Sequence, residues 1–118
     1  MQLITKEQRH QLQANGVENA KADAEHGSFD HHPVVKLFCP WAAASWLLTE
    51  LDPDDNDIAF GLCDLGFGTP ELGSVRISEL EALRGPGRLT IERDLHFTAD
   101  KPLSAYAAEA RKAGRITA

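Results

Sequence analysis

Alternating and β-branched residues predict five strands along the chain. The residues from Ile58 to Leu65 show the pattern most clearly, because large side chains at positions 58, 60 and 62 alternate with small ones at 59, 61 and 63. Such alternation is typical of a strand with a core on one face and a close neighbour on the other. On similar grounds, strands are predicted at residues 34–39, 45–51, 58–65, 72–77 and 89–97.

Capping residues predict a helix at the start of the chain. Thr5 and Gln8 form a capping box that opens a helix over residues 6–14, and Asn15-Gly16 is suited to close it in the left-handed conformation. Residues 17–33 lack a hydrophobic period, which predicts a loop with at most a helical turn around residues 18–25.

Two further helices are predicted in the second half of the chain. Residues 78–81 form another capping box, which predicts a short helix with Ser78 as its N-cap. Leu103, Tyr106 and Ala110 recur at helical spacing and predict a C-terminal helix, which the following glycine ends.

The order of these elements predicts an α+β fold. Short links between consecutive strands favour an antiparallel meander over parallel crossovers. We expect a single domain over residues 1–118, in which a mainly antiparallel five-stranded sheet is flanked by three helices. These are an N-terminal, a short internal and a C-terminal helix, the last over residues 103–113.

Acidic residues are concentrated in the middle of the chain. The net charge is −6, but residues 37–75 contain seven acidic and no basic side chains, so the other residues together carry +1. A segment of one sign repels nucleic acid and attracts basic partners or cations. We therefore expect no direct nucleic-acid binding, since the basic residues near the C-terminus are too few for such a surface.

Composition and motifs exclude several classes of protein. The 118 residues, 42% of them hydrophobic, suit one soluble domain. No apolar run approaches the roughly 18 residues of a membrane span, and residues 1–6 lack the apolar run of a signal peptide, so we expect a cytoplasmic protein without membrane contact. Cys39 and Cys63 lie outside any CxxC pair, and no nucleophile elbow, Walker sequence or complete dinucleotide loop is present. We predict no catalytic residue, metal or cofactor.

The acidic turn between the second and third strands is the first candidate site. Asp52, Asp54 and Asn56 match the first three ligand positions of an EF-hand calcium loop, but Asp57 and Cys63 stand where that loop needs glycine and glutamate. A solvated hairpin turn, a bound cation and a contact surface for a basic partner remain open. The predicted partner-binding residues in this region are Glu50, Asp52, Asp54, Asp55 and Asp57.

The segment from residue 92 to residue 96 is the second candidate site. Glu92, Asp94 and His96 share one face at strand spacing, which suits a divalent metal or an acid and a base but is also typical of a solvated strand face. Arg93 falls on the apolar side, where we expect it to pair with a carboxylate or to lie at the edge of the sheet. Glu92, Arg93 and Asp94 complete the predicted partner-binding set.

A polar loop with three histidines is the third candidate site. It contains His26, Asp30, His31 and His32, whose spacing matches no zinc template. Because no predicted helix or strand fixes their geometry, we expect surface histidines rather than a metal site.

Several segments together resemble a known family of small bacterial proteins. They are Lys36–Pro40, Trp46–Glu50, Phe60–Leu62, Glu71–Gly73, Leu80–Pro86 and Ile91–Leu95, in this order. The family is a domain of unknown function found on plasmids and integrative conjugative elements. The resemblance covers residues 34–103, with Cys39 in place of a small hydroxyl residue and Thr90 in place of proline.

The resemblance implies a biological context rather than a chemistry. Proteins of mobile DNA serve plasmid maintenance, transfer or evasion of host defence, and evasion often uses small acidic proteins that cover a nucleic-acid-binding surface. We therefore expect a non-enzymatic interaction protein, such as an inhibitor of a restriction or CRISPR-type nuclease, which binds a basic protein partner through its acidic surface. The alternative is a small metal-dependent hydrolase or nuclease that uses Glu92, Asp94 and His96.

Overall fold

Three helices surround one antiparallel sheet, which confirms the predicted α+β fold. The structure, a computed structural model, describes residues 2–25 and 29–118. Its elements are helix α1 (Lys6–Glu25), strands β1 (Val35–Phe38), β2 (Ser45–Asp52), β3 (Asp55–Asp64) and β4 (Glu71–Arg76), helix α2 (Ile77–Ala82), a 3₁₀ turn (Pro86–Arg88), strand β5 (Glu92–Arg93) and helix α3 (Leu103–Ala113). No described helix is long and apolar enough to cross a membrane.

The five strands form an open sheet in the order β4-β3-β2-β1-β5. All neighbouring strands are antiparallel, and the first four form the predicted meander. Strand β5 instead pairs with β1 at the opposite edge from β4, because α2 and the 3₁₀ turn separate it from β4 along the chain. It spans two residues rather than the predicted 89–97, since the amide of His96 bonds to the Asp94 carboxylate and turns the chain.

A hydrophobic core lies on each face of the sheet. One face packs against Leu12 of α1 and against Ile77 and Leu80 of α2. The other face packs against Tyr106 and its neighbours on α3. The alternation predicted for β3 is confirmed, since Phe60 and Leu62 belong to the α3 side whereas Ala59 and Cys63 belong to the α1 side.

Helix α1 begins as predicted but does not end at Asn15-Gly16. The Thr5 amide donates to Gln8 Oε1 at 2.9 Å and the Gln8 amide donates to Thr5 Oγ1 at 3.0 Å, which confirms the capping box. The helix continues to Glu25, through most of the predicted loop. Gly16 is needed for packing, because a Cβ atom there would lie 1.8 Å from the backbone oxygen of Leu51.

The second half of β2 pairs with β3 on one side and lies beside α1, rather than beside β1, on the other. Strand β1 pairs with β2 only as far as Leu48, and a register shift follows between Leu48 and Glu50. Asn15 Nδ2 donates to the backbone oxygen of the bulged residue Thr49 at 2.9 Å, and Asn15 Oδ1 accepts from Gln11 at 2.8 Å. The buried Asn15 side chain thus satisfies a backbone group that no strand partner reaches.

Aspartates from distant segments cap helices α2 and α3. The Ser78 amide and hydroxyl donate to the Asp57 carboxylate at 2.9 and 2.6 Å, and the same two groups of Ser104 donate to Asp30. The residue at the N-cap position of α2 is Arg76, so the prediction that Ser78 is the N-cap is wrong. Ser78 lies within the first turn, where its amide and hydroxyl reach the carboxylate together.

Candidate partner-binding site

The carboxylates of Asp52 and Asp54 lie at the β2–β3 turn. Asp52 Oδ1 accepts the amide of Asp54 at 2.8 Å, which fixes the turn between the strands. The side chain of Asp54 is exposed. Neither Asp52 nor Asp54 forms an ion pair with any basic side chain among the described residues.

Asp55 and Asp57, which the sequence placed in the turn, belong to the first residues of β3, and their carboxylates are bound within the protein. Arg76 Nη1 lies 3.1 Å from Asp55 Oδ2 and 3.6 Å from Asp57 Oδ2. Hydrogen bonds from the Ser78 hydroxyl and amide, together with the charge of Arg76, hold the pKa of Asp57 below its ordinary value. Asp55 and Asp57 therefore fasten the hairpin to β4 and α2, a structural role that their surface position did not predict.

Asp52 and Asp54 line an open groove of about 540 Å³ between α1, the β2–β3 turn and the sheet. Glu50, Phe29 and Phe60 line the same groove. We call it the acidic groove and define it by Asn19, Phe29, Glu50, Asp52, Asp54 and Phe60.

Asn19 connects two walls of the acidic groove. Its Nδ2 donates to Glu50 Oε1 at 2.5 Å, and its Oδ1 accepts the Phe29 amide at 2.6 Å. Asn19 itself is 6% exposed. The buried Asn19 side chain thus bonds both to the Glu50 carboxylate and to the backbone of Phe29.

The predicted site residues of segment 92–96 lie on β5 and just after it, at the edge of the sheet opposite β4. Arg93 donates to the backbone oxygen of Leu3 at 2.8 Å and to that of Gln2 at 3.4 Å, so it holds the N-terminal segment on β5. The amide of His96 and the charge of Lys36, whose Nζ lies 3.5 Å away, hold the pKa of Asp94 below its ordinary value. The structure therefore divides the predicted partner-binding set into two separate regions.

The structure does not assemble a metal site from the described candidates. Among residues 2–25 and 29–118, no three His, Cys, Asp or Glu side chains are grouped so that they could hold a metal ion. His31 Nε2 lies 3.2 Å from Glu18 Oε1, whereas His32 is exposed. His26 lies outside the described residues, and the hydrolase interpretation of Glu92, Asp94 and His96 stays a prediction.

The cysteines show no features of an activated nucleophile. Both are free thiols, with Cys39 buried and Cys63 half-buried. Burial raises the pKa of the Cys63 thiol, which disfavours its reactive thiolate form.

Sequence reasoning missed Asn19 and Phe29 because it placed both in a loop. Asn15 and Asn19 are four residues apart, so they share one face of α1. The sequence did contain a signal, because Gly16 lies between these two asparagines. Small and polar residues on one face of a helix indicate that this face contacts backbone rather than apolar side chains.

The fold and the groove define a small α+β domain of three layers, in which an acidic groove lies at the β2–β3 end of the sheet. A family model described as "Protein of unknown function (DUF2958)" matches residues 3–117, and the chain belongs to this family. The match confirms that the chain belongs to a family of unknown function, and it covers more of the chain than the resemblance over residues 34–103. No curated protein and no solved structure matches the chain significantly.

Proposed function

We propose that the protein is a non-enzymatic interaction protein that binds a basic surface of another protein through the acidic groove. The proposal rests on the different contacts of two pairs of aspartates at this end of the sheet. Asp55 and Asp57 are bound to Arg76, whereas Asp52 and Asp54 line the groove without a basic partner among the described residues. Carboxylates on an open concave surface attract a basic partner and orient its approach.

The partner that we propose is a host nucleic-acid-binding protein, such as a nuclease of a restriction or CRISPR-type system. Such proteins carry basic surfaces that neutralise phosphates, and an acidic groove is complementary to them. The resemblance to proteins of plasmids and conjugative elements supports a role in the cytoplasm on behalf of mobile DNA. The proposal does not need Glu92, Arg93 or Asp94, which lie at the other edge of the sheet.

The test removes the two available charges and leaves the fold in place. In the variant Asp52→Asn with Asp54→Asn, the amides keep the hydrogen-bonding habits of a turn but lose both charges. Asp55 and Asp57 stay unchanged, because their loss would also release Arg76 and α2. The binding partner is captured from bacterial lysate with the unmodified protein, purified, and used to measure association rates at low and high ionic strength.

We expect the double variant to associate roughly tenfold more slowly at low ionic strength and to differ much less at high ionic strength. The matched control is Glu7→Gln with Glu79→Gln, which removes two exposed charges outside the groove. If the double variant and the control associate equally fast at every ionic strength, the groove is not the contact surface and the proposal fails.

A further inference from the structure

Two aromatic residues line the acidic groove together with its acidic residues. Phe29 is 54% exposed, so much of its side chain is open to solvent. Phe60 is half-buried and lines the same groove, together with Asp52 and Asp54. A groove lined by an exposed aromatic residue and by two carboxylates without a basic partner among the described residues is a suitable environment for an organic cation.

The backbone of Phe29 is hydrogen-bonded to a buried side chain of α1. The Phe29 amide donates to Asn19, whose other end bonds to Glu50. The ring also contacts that of His31, with the centroids 5.8 Å apart. The backbone of Phe29 is therefore held in place before any partner arrives, which lowers the entropy lost on binding.

From this geometry we infer that the acidic groove receives an arginine side chain of the partner. The inference rests on the proposed function and adds the type of residue that is recognised. The guanidinium would bond to the carboxylates of Asp52 and Asp54, while its flat face lies on the Phe29 ring. The groove volume of about 540 Å³ accommodates one such side chain with its flanking backbone.

Charge complementarity selects a cation, and the aromatic ring selects between the two basic side chains. A lysine ammonium is compact and strongly hydrated, so it satisfies the carboxylates but stacks poorly on a ring. A guanidinium is planar and less hydrated, and it can make both contacts at once. The groove should therefore prefer arginine over lysine at equal charge.

The test uses three capped glycine–serine peptides that differ only in a central arginine, lysine or citrulline. Each is titrated into the full chain, and the backbone amide signals of Phe29 and Asn19 are followed by NMR. We expect the arginine peptide to bind about two- to fivefold more tightly than the lysine peptide, and the uncharged citrulline peptide to bind most weakly. In Phe29→Leu, which alters an exposed side chain, arginine and lysine should bind equally.

The outcomes separate this inference from the proposed function. If both basic peptides bind equally and Asp52→Asn with Asp54→Asn weakens both, the acidic contact stands and the arginine preference is refuted. If the preference for arginine persists in Phe29→Leu, the ring does not select it and the inference is likewise refuted. If no peptide shifts the groove signals, or the double variant binds like the unmodified protein, the contact surface itself is wrong.

Discussion

At Gly16, the absence of a side chain lets a helix touch the backbone of a strand. A Cβ atom there would lie 1.8 Å from the Leu51 oxygen, far inside van der Waals contact. The clash would involve backbone, which cannot turn aside as a flexible side chain can. The glycine therefore determines how closely α1 approaches β2.

We expect Gly16→Ala to lower the free energy of unfolding by about 1–3 kcal/mol or more, because the helix must move away from β2. Thermal and urea unfolding measure the loss. Gly73→Ala is the matched control, since a Cβ atom at Gly73 would meet nothing within 4 Å. A gain of about 1 kcal/mol for Gly16→Ala, as on an open helix surface, would show that the close approach is wrong.

The second prediction at the residue scale concerns the hydrogen bonds between Ser78 and Asp57. Ser78→Ala removes one hydroxyl bond but leaves the Ser78 amide on Asp57, so we expect a loss of about 0.5–1.5 kcal/mol. Asp57→Asn should cost more, since it also weakens the contact with Arg76. Unfolding in urea provides both values, and an unchanged midpoint for both variants would exclude the cap.

The same bonds make stability depend on pH. The folded pKa of Asp57 lies below its ordinary value of 3.8, mainly because of Ser78, so the folded state binds fewer protons than the unfolded state. This stabilisation is fully present at pH values above 3.8, the ordinary pKa. It is lost as the pH falls from that value towards the lower pKa of the folded state. Asp57→Asn should lower stability at neutral pH and flatten this part of the curve. An acid titration of equal slope in both proteins would contradict the assignment.

At the scale of the element, α1 is unusual because its contact face is largely polar. Leu12 is its buried apolar residue among those whose side chains are described, and Asn15, Gly16 and Asn19 form the rest of the buried face. A helix of this kind has no hydrophobic period in its second half, so the pattern could predict its start at Thr5 but not its length. The strand β3 could be predicted well, because large and small side chains alternate across two different cores.

Asn15 provides the prediction for this element. Asn15→Ala leaves the Thr49 oxygen buried without its donor, and we expect a loss of about 1–3 kcal/mol. Gln13→Ala, a half-buried polar position on the same helix, is the control. Chemical unfolding measures the free energy of unfolding of both variants. Equal losses in the two would mean that the bond from Asn15 to the Thr49 oxygen does not stabilise the fold.

At the scale of the whole molecule, contacts between residues far apart in the sequence determine the roles of the individual carboxylates. The acidic segment could be found by counting charges, but its division depends on Arg76, which is 21 residues from Asp55. The groove depends on Asn19, which reaches Glu50 across 31 residues. Local patterns contain no information on such pairs, so the carboxylates could be predicted and their separate roles could not.

The capping of α2 and α3 by Asp57 and Asp30 has a consequence for the kinetics of folding. Helix α1 carries its own cap at Thr5, so it can nucleate from local residues alone. The Asp30 cap joins residues 74 positions apart, and it forms only after the chain has brought the α1–β1 segment to α3. We expect Asp30→Ala to accelerate unfolding and to leave the folding rate nearly unchanged, as stopped-flow measurements would show. A slower folding rate would instead place this contact in the transition state, and the C-terminal helix would then join the folding nucleus early.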